Sequence, residues 1–245
     1  MDRWFGKVAI VTGASAGIGI LISQALVEKG LKVVGLARRV ERIEELSKTL
    51  SNKPGKLYPI KCDIGVEEEI LGVFKWIKDN LGPIHVLINN AGLIKPTNLT
   101  DGSTDDWRQI FNINVIGLCI CTREAVRVMK EHNIAGHIIH INAICGHYVT
   151  PLPEPVMNVY PASKYAVTAL TETLRQELRH FKSQIKITSI SPGVVRTEFQ
   201  DNFPGGIKDA VATMPALKPD DIAEAVMYVL STQPHVQVIY CLFSK

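Results

Sequence analysis

The chain has no surplus of charge of either sign, no long uninterrupted apolar run and no paired cysteines, and each lack excludes a class of protein. Its 27 Lys and Arg are set among 24 Asp and Glu, giving a formal net charge of +3 without a basic stripe. No nucleic-acid partner is therefore expected, because such partners are met by clustered positive charge. No segment is apolar over the length that crosses a bilayer, so no membrane span is expected. Residues 1–7 run straight into a strand pattern without the apolar stretch of a secretory signal. The five cysteines, Cys62, Cys119, Cys121, Cys145 and Cys241, are odd in number and lack metal-type pairing, so no metal is expected. Reduced thiols in the cytoplasm are the simplest reading. His137 and His140 do not supply a metal site either, since alternation along a strand sends them to opposite faces. Without internal repeats or a linker, the 245 residues are expected to form one domain, 1–245.

What is present is an alternation of short apolar runs and helical patterns. A hydrophobic content of 46% with 21% charged residues suits a packed globular core. Compact β-rich runs at 8–11, 32–36, 57–60, 84–88, 137–141, 185–190 and 236–242 predict seven strands. Helical patterns fill 17–29, 40–50, 66–80, 105–131, 162–180 and 219–230. Strands separated by helices, and apolar enough to be covered on both faces, predict an α/β fold with a Rossmann-like, doubly wound, seven-stranded parallel sheet. The irregular stretches 145–159 and 196–217 both follow strands, where open sheets take their ligands, and are the expected substrate walls. The run 110–121 is apolar nearly all round and suits a subunit interface. The chain stops directly after its last strand pattern, which is expected to leave the pocket more open.

After the first strand come Thr12-Gly13-Ala14-Ser15-Ala16-Gly17-Ile18-Gly19 and then a helix. Glycines allow a tight turn and close approach to a pyrophosphate, and the helix N-terminus offers unpaired N–H groups to the anion. A glycine-rich turn that binds nothing has the same local composition; its place in a strand–turn–helix unit weighs against that. At the exit of the second strand, Ala37 stands where a carboxylate would hold the ribose hydroxyls of NAD, followed by Arg38 and Arg39. Forked guanidinium groups there suit the extra phosphate of NADP(H), which is expected in preference to NAD(H).

With this turn, several further motifs in order resemble the classical short-chain dehydrogenase/reductase family along nearly the whole chain, and Ala37-Arg38-Arg39-Val40-Glu41 and Tyr165-Ala166-Val167-Thr168-Ala169-Leu170-Thr171-Glu172 more narrowly resemble its branch of insect farnesol dehydrogenases and animal carbonyl and ketosteroid reductases. The phosphate turn, with Gly13, Ser15, Gly17, Ile18 and Gly19, resembles the family's cofactor loop. Cys62-Asp63-Ile64 resembles the segment whose Asp meets adenine, and Asn89-Asn90-Ala91-Gly92 the motif bordering the cofactor. Tyr160-Pro161-Ala162-Ser163-Lys164 resembles the catalytic pair, and Pro192-Gly193-Val194-Val195-Arg196-Thr197 the loop around the nicotinamide carboxamide. The resemblance implies hydride transfer between a nicotinamide and a small hydrophobic alcohol or carbonyl, with Tyr160 as proton donor or acceptor. Lys164 would hold the nicotinamide ribose, and Asn114 a water of the proton relay. A homodimer or homotetramer is implied as well. Tyr160 and Lys164, four apart on a helix, share a face, so the ammonium is expected to lower the phenol towards a useful range.

One family residue is missing. The family's serine lies three residues before a glycine in a pattern like Asn142-Ala143-Ile144-Cys145-Gly146, and that count lands on Ala143. Alanine donates no hydrogen bond, and losing one preorganised donor costs about 2.7 to 4 kcal/mol. Three readings stand. The chain is a Ser→Ala variant of a working enzyme, or a natural enzyme using Asn142, Cys145 or His147 instead, or a catalytically silent protein that binds cofactor or a hydrophobic ligand.

Overall fold

The strands form because their residues are apolar at successive positions and find cover on both sides. In the computed structural model, which describes residues 1–149, 151, 152 and 154–245, the element order is β1 (Val8–Thr12), α1 (Gly17–Glu28), β2 (Lys32–Ala37), α2 (Val40–Thr49), β3 (Lys56–Lys61), α3 (Glu67–Asn80), β4 (Ile84–Asn89), α4 (Thr104–Phe111), α5 (Leu118–Glu131), β5 (His137–Ile141), α6 (Tyr160–His180), β6 (Lys186–Pro192), α7 (Gly205–Thr213), α8 (Pro219–Ser231) and β7 (Tyr240–Phe243). Thr150 and Pro153, within the expected wall 145–159, lie outside the described residues.

The strands make one sheet of seven in the order β3-β2-β1-β4-β5-β6-β7, every neighbouring pair parallel. Alternation divides each strand between two cores. In β1, Ala9 and Val11 face the layer of α1 and α8, with Ile22, Leu26, Ile222 and Val226. Val8 and Ile10 face the layer of α3, α5 and α6, with Ile70, Phe74, Ala125 and Leu178. In β4, Val86 and Ile88 go to the first core and Leu87 to the second, which Ile84 joins across the register shift at the start of the strand. The strand order reverses between β1 and β4, and at such a switch point the loops leaving the strands diverge and leave a crevice.

The structure corrects the expected elements in four places. The helix expected over 105–131 is α4 and α5 joined by a π-helical segment, Asn112–Gly117. Beyond the apolar run 110–121, α5 buries Glu124 between Arg123 and Arg127. α6 begins at Tyr160, two residues earlier than its pattern suggests, with Pro161 in its first turn, where a missing N–H costs nothing. The stretch 196–217 contains a 3₁₀ turn, Glu198–Asn202, and α7, which buries only Ile207 and Val211. β7 is shorter than 236–242, because side chains of β6 take the backbone carbonyls ahead of it: Lys186 Nζ donates to Val236 O at 2.9 Å and Thr188 Oγ1 to Val238 O at 2.6 Å.

Candidate active site

A cleft of about 710 Å³ opens at the carboxyl ends of the strands. It runs from the turn after β1 to Tyr160 and Lys164.

The turn after β1 is built from two positions that reject a side chain. Gly13 has φ +68°, and a β-carbon there would stand 2.8 Å from Ala91 Cα. Gly17 has φ +52°, with Thr197 Cβ 3.0 Å from the same imagined atom. Both are backbone conformations that favour glycine. Ser15 and Ile18 line the cleft beside them. Gly19 does not; a β-carbon there would meet Gly13 O at 2.2 Å, so its part is to let α1 pack onto the turn. α1 starts at Ala16 with no side-chain cap and no acidic residue in its first turn, which leaves its first N–H groups for an anion. The turn is braced from β4. Thr12 Oγ1 accepts from Asn90 N and Ala91 N at 3.0 Å, and Asn90 Nδ2 donates to Thr12 O and Gly13 O at 2.9 and 3.2 Å.

At the exit of β2, Ala37 is buried and Arg38 and Arg39 stand exposed on the cleft wall. Arg38 Nη1 lies 4.0 Å from Asp63 Oδ2. Asp63 lines the cleft too, and its Oδ1 accepts from Gly65 N at 2.9 Å. This end carries the guanidinium groups of Arg38 and Arg39 and the carboxylates of Asp63 and Glu198, a donor set that fits the adenosine half of a nicotinamide dinucleotide. The uncapped helix, the glycine cradle and this charged rim together fit a dinucleotide.

At the other end, Tyr160 and Lys164 sit one turn apart on α6, both buried. Lys164 Nζ is 5.8 Å from the centre of the Tyr160 ring and donates to Ile141 O at 3.2 Å. The expected fall in the phenol's pKa is not found. Burial, followed by the Cys145 thiol, pushes Tyr160 up from its ordinary value. Burial also lowers the Lys164 ammonium to about 8, against the Cys145 thiol. Desolvation penalises both charged forms, and with the ammonium turned to a carbonyl it outweighs the attraction between the pair.

Ala143 has extended backbone (φ −160°, ψ 159°) and packs in one apolar cluster with Ile94, Cys145 and Tyr160, bordered by Met157, Phe199 and Phe203. The Phe199 ring centre lies 6.0 Å from that of Tyr160. Met157, Phe199 and Phe203 fall within the stretches 145–159 and 196–217 expected as substrate walls, whereas Ile94, which follows β4, carries no sequence signal of its own. Pro192, Gly193, Val194 and Thr197 line the cleft opposite, as do Ala91 and Gly92.

Two expected residues stand behind the wall. Asn89 donates from Nδ2 to Thr122 Oγ1 at 2.9 Å and begins a buried polar chain through Thr122 and His140 to Thr171 Oγ1. Asn114 is buried; its Oδ1 accepts from Leu93 N at 2.7 Å, and its Nδ2 donates to Leu93 O and Ser163 Oγ at 2.9 and 3.0 Å. A β-carbon on Gly92 would lie 3.7 Å from Asn114 Oδ1 and 3.9 Å from Lys164 Nζ, so the three meet at one point. Of the alternative donors near Ala143, His147 is committed to Ser191 Oγ at 2.9 Å, and the Asn142 amide donates to Thr168 Oγ1 at 2.9 Å. Cys145 alone of the three joins the apolar wall around Tyr160. Among the described residues no cluster of His, Cys, Asp and Glu is arranged to hold a metal ion, and no helix is long and apolar enough to cross a membrane.

Comparison with known proteins agrees with this geometry. The family model described as "short chain dehydrogenase" matches residues 7–206. "Dehydrogenase/reductase SDR family member 11" of Bos taurus is 51% identical over 97% of this chain and 95% of its own length. "Farnesol dehydrogenase" of Aedes aegypti is 50% identical over the same shares of each chain. Among solved structures, a short-chain type dehydrogenase/reductase from Mycobacterium marinum superposes with a TM-score of 0.89 at 27% identity, covering 98% of this chain and 95% of that one. The closed form of a serine dehydrogenase complexed with NADP+ does so with a TM-score of 0.87 at 31% identity, covering 97% and 94%. A parallel sheet reversing at β1 and β4, an uncapped glycine turn, a Tyr–Lys pair one helical turn apart in the same cleft, and these matches have one explanation: the chain belongs to the short-chain dehydrogenase family and is an oxidoreductase of that type.

Proposed function

We propose that this oxidoreductase uses NADP(H) in preference to NAD(H) and acts on a hydrophobic alcohol or carbonyl of the isoprenoid or ketosteroid kind. The observation that carries the reading is the cleft itself, which joins an anion-ready glycine turn and a doubly basic rim to a buried tyrosine–lysine pair walled by Ile94, Met157, Phe199 and Phe203. The name borne by the half-identical relative of Aedes aegypti, farnesol dehydrogenase, supports the substrate class. When bound, the dinucleotide supplies or accepts the hydride at the substrate carbon.

The chain's own residues do the rest. Gly13, Ser15, Gly17 and Ile18 take the pyrophosphate, Arg38 and Arg39 the ribose phosphate, and Asp63 the adenine. Asn89, from behind, and Ala91 with Gly92 border the cofactor, while Pro192, Gly193, Val194 and Thr197 face the nicotinamide carboxamide. In reduction, Tyr160 donates its phenolic proton to the substrate oxygen; in oxidation the phenolate takes it back. Burial holds the phenol protonated in the ligand-free cleft, so the oxidative direction first requires its ionisation. Lys164 then steadies the phenolate electrostatically, and its value near 8 allows exchange with water at neutral pH. The Asn114 side chain is spent on Leu93 and Ser163, so the water of the relay falls to the backbone of the π-helical segment, a device common at functional sites. Ala143 removes one donor to the substrate oxygen and slows turnover, and the Cys145 thiol lies on the same wall. The five thiols, none in a disulfide, support a cytoplasmic setting, and Ile116, half exposed on the π-helical segment, supports a homodimer or homotetramer.

Titrating NADPH and NADH into the protein by fluorescence, then following cofactor consumption over aldehydes, ketones and isoprenoid alcohols, tests the reading. Tighter NADPH binding with turnover of an apolar member of the panel is expected. Tighter NADH binding removes the cofactor preference; NADPH binding without turnover, for the wild type and for Ala143→Ser alike, establishes the second reading, a silent binding protein.

A further inference from the structure

The 3₁₀ turn after β6 reaches across the mouth of the cleft. Both carboxylate oxygens of Glu198 accept from Arg42 Nη1, at 2.8 and 2.7 Å, and Oε2 stands 3.5 Å from Arg39 Nη1. Arg39 immediately precedes α2 and Arg42 lies in its first turn, whereas Glu198 comes from the opposite rim, next to Thr197 over Gly17 and Phe199 beside Tyr160. Arg38, Arg39 and Glu198 all line the cleft. A carboxylate thus already occupies one of the two guanidinium groups to which the ribose phosphate is assigned. A phosphate arriving at Arg38 and Arg39 meets that negative charge at close range and is repelled, while a ribose hydroxyl carries no charge for it to oppose.

We propose that Glu198 is a specificity-determining residue: it opposes the phosphate that distinguishes NADP(H) from NAD(H), and Arg42 moderates it by holding the carboxylate back. The inference rests on the cofactor reading above and adds a counterweight to the basic rim. All three side chains are about half exposed, so solvent screens the effect and its size is modest.

Fluorescence titration of NADPH and NADH, without substrate, is run on the wild type, Glu198→Gln and Arg42→Ala at low and at high ionic strength. In Glu198→Gln, the NADPH dissociation constant falls about three- to tenfold, as expected for removing one partly screened charge near a phosphate, and that for NADH stays put. In Arg42→Ala the freed carboxylate turns to Arg39 and NADPH binding weakens, again without change for NADH. Both effects shrink at high salt. Equal changes for the two cofactors, or none, overturn the proposal while leaving the cofactor reading intact. A wild type that itself binds NADH more tightly defeats the cofactor reading first, and this inference with it.

Discussion

Ala143→Ser should raise turnover at least tenfold, and the structure supplies the parts of that estimate. The residue lies on the cleft wall, 9% exposed, on extended backbone that serine adopts without strain. Its neighbours are Ile94, Cys145 and Tyr160, so the added hydroxyl enters beside the phenol, at the opening of the cleft, without displacing core atoms. A preorganised donor facing a developing oxyanion is worth about 2.7 to 4 kcal/mol where it is the principal one. With Tyr160 already donating, and Cys145 on the same wall, the smaller gain of about 1.4 kcal/mol is the floor, and that is the tenfold. The stability loss is at most about 1 to 3 kcal/mol, the cost of a buried hydroxyl that finds no partner. Steady-state consumption of NADPH with an apolar aldehyde measures kcat and KM for the two proteins, beside a cofactor titration. The gain should fall in kcat, with the cofactor Kd unchanged. A kcat that rises by less than tenfold, with the variant folded and binding NADPH normally, would show that the missing hydroxyl does not limit this site.

Three further outcomes follow from other parts of the molecule. Cys145→Ala should lower kcat several-fold while Cys145→Ser retains or exceeds wild-type turnover; equal rates for all three proteins would remove the thiol from the chemistry. Gly13→Ala should abolish cofactor binding measured by fluorescence and destabilise the fold by about 1 kcal/mol or more in urea titration, because φ +68° and a 2.8 Å approach to Ala91 Cα both oppose a β-carbon; a variant that binds NADPH normally would contradict this. His137 and His140 are held neutral down to about 3, His137 by burial and the charges of Lys186 and Arg3, His140 by burial and the charge of Lys164. The unfolded chain therefore binds more protons between its ordinary histidine value near 6.5 and about 3. Stability should fall as pH drops through that window, by at most about 1.4 kcal/mol per pH unit for each ring. The urea midpoint against pH should flatten in His137→Gln, and an unaltered slope would refute the assignment.

The strands were legible in the sequence because a strand covered on both faces must be apolar at every position, as Ala9, Ile10 and Val11 are. The glycine turn was legible for the opposite reason: few residues other than glycine accept the backbone at Gly13 and Gly17. Phase inside a uniformly apolar run was not legible. The stretch around Asn112–Gly117 offers no polar stripe whose drift would betray the wider π-helical turn. α7 escaped because a helix that buries only Ile207 and Val211 leaves almost no periodic trace between Pro204 and Pro215. The site's electrostatics were misread at Tyr160 because sequence spacing gives the neighbour but not the depth, and depth decides the sign here. His147 was considered as a substrate contact, yet the bond to Ser191 Oγ draws it away, a pairing across 44 residues that no local pattern announces. Bridges such as Glu198 to Arg42, 156 residues apart, are invisible for the same reason.

The four bonds that join Thr12 and Gly13 to Asn90 and Ala91 bear on how affinity arises here. Where a doubly wound sheet reverses, the chain parts to opposite sides, and the seam between β1 and β4 is where the molecule is most inclined to gape. Stitched in this way, the seam holds its shape before any ligand comes, so a dinucleotide need not order the loop that receives it. Cutting the stitch, by removing the hydroxyl or the amide, should leave every phosphate-facing atom in the chain and still weaken the grip, since the lost quantity is stiffness and not contact.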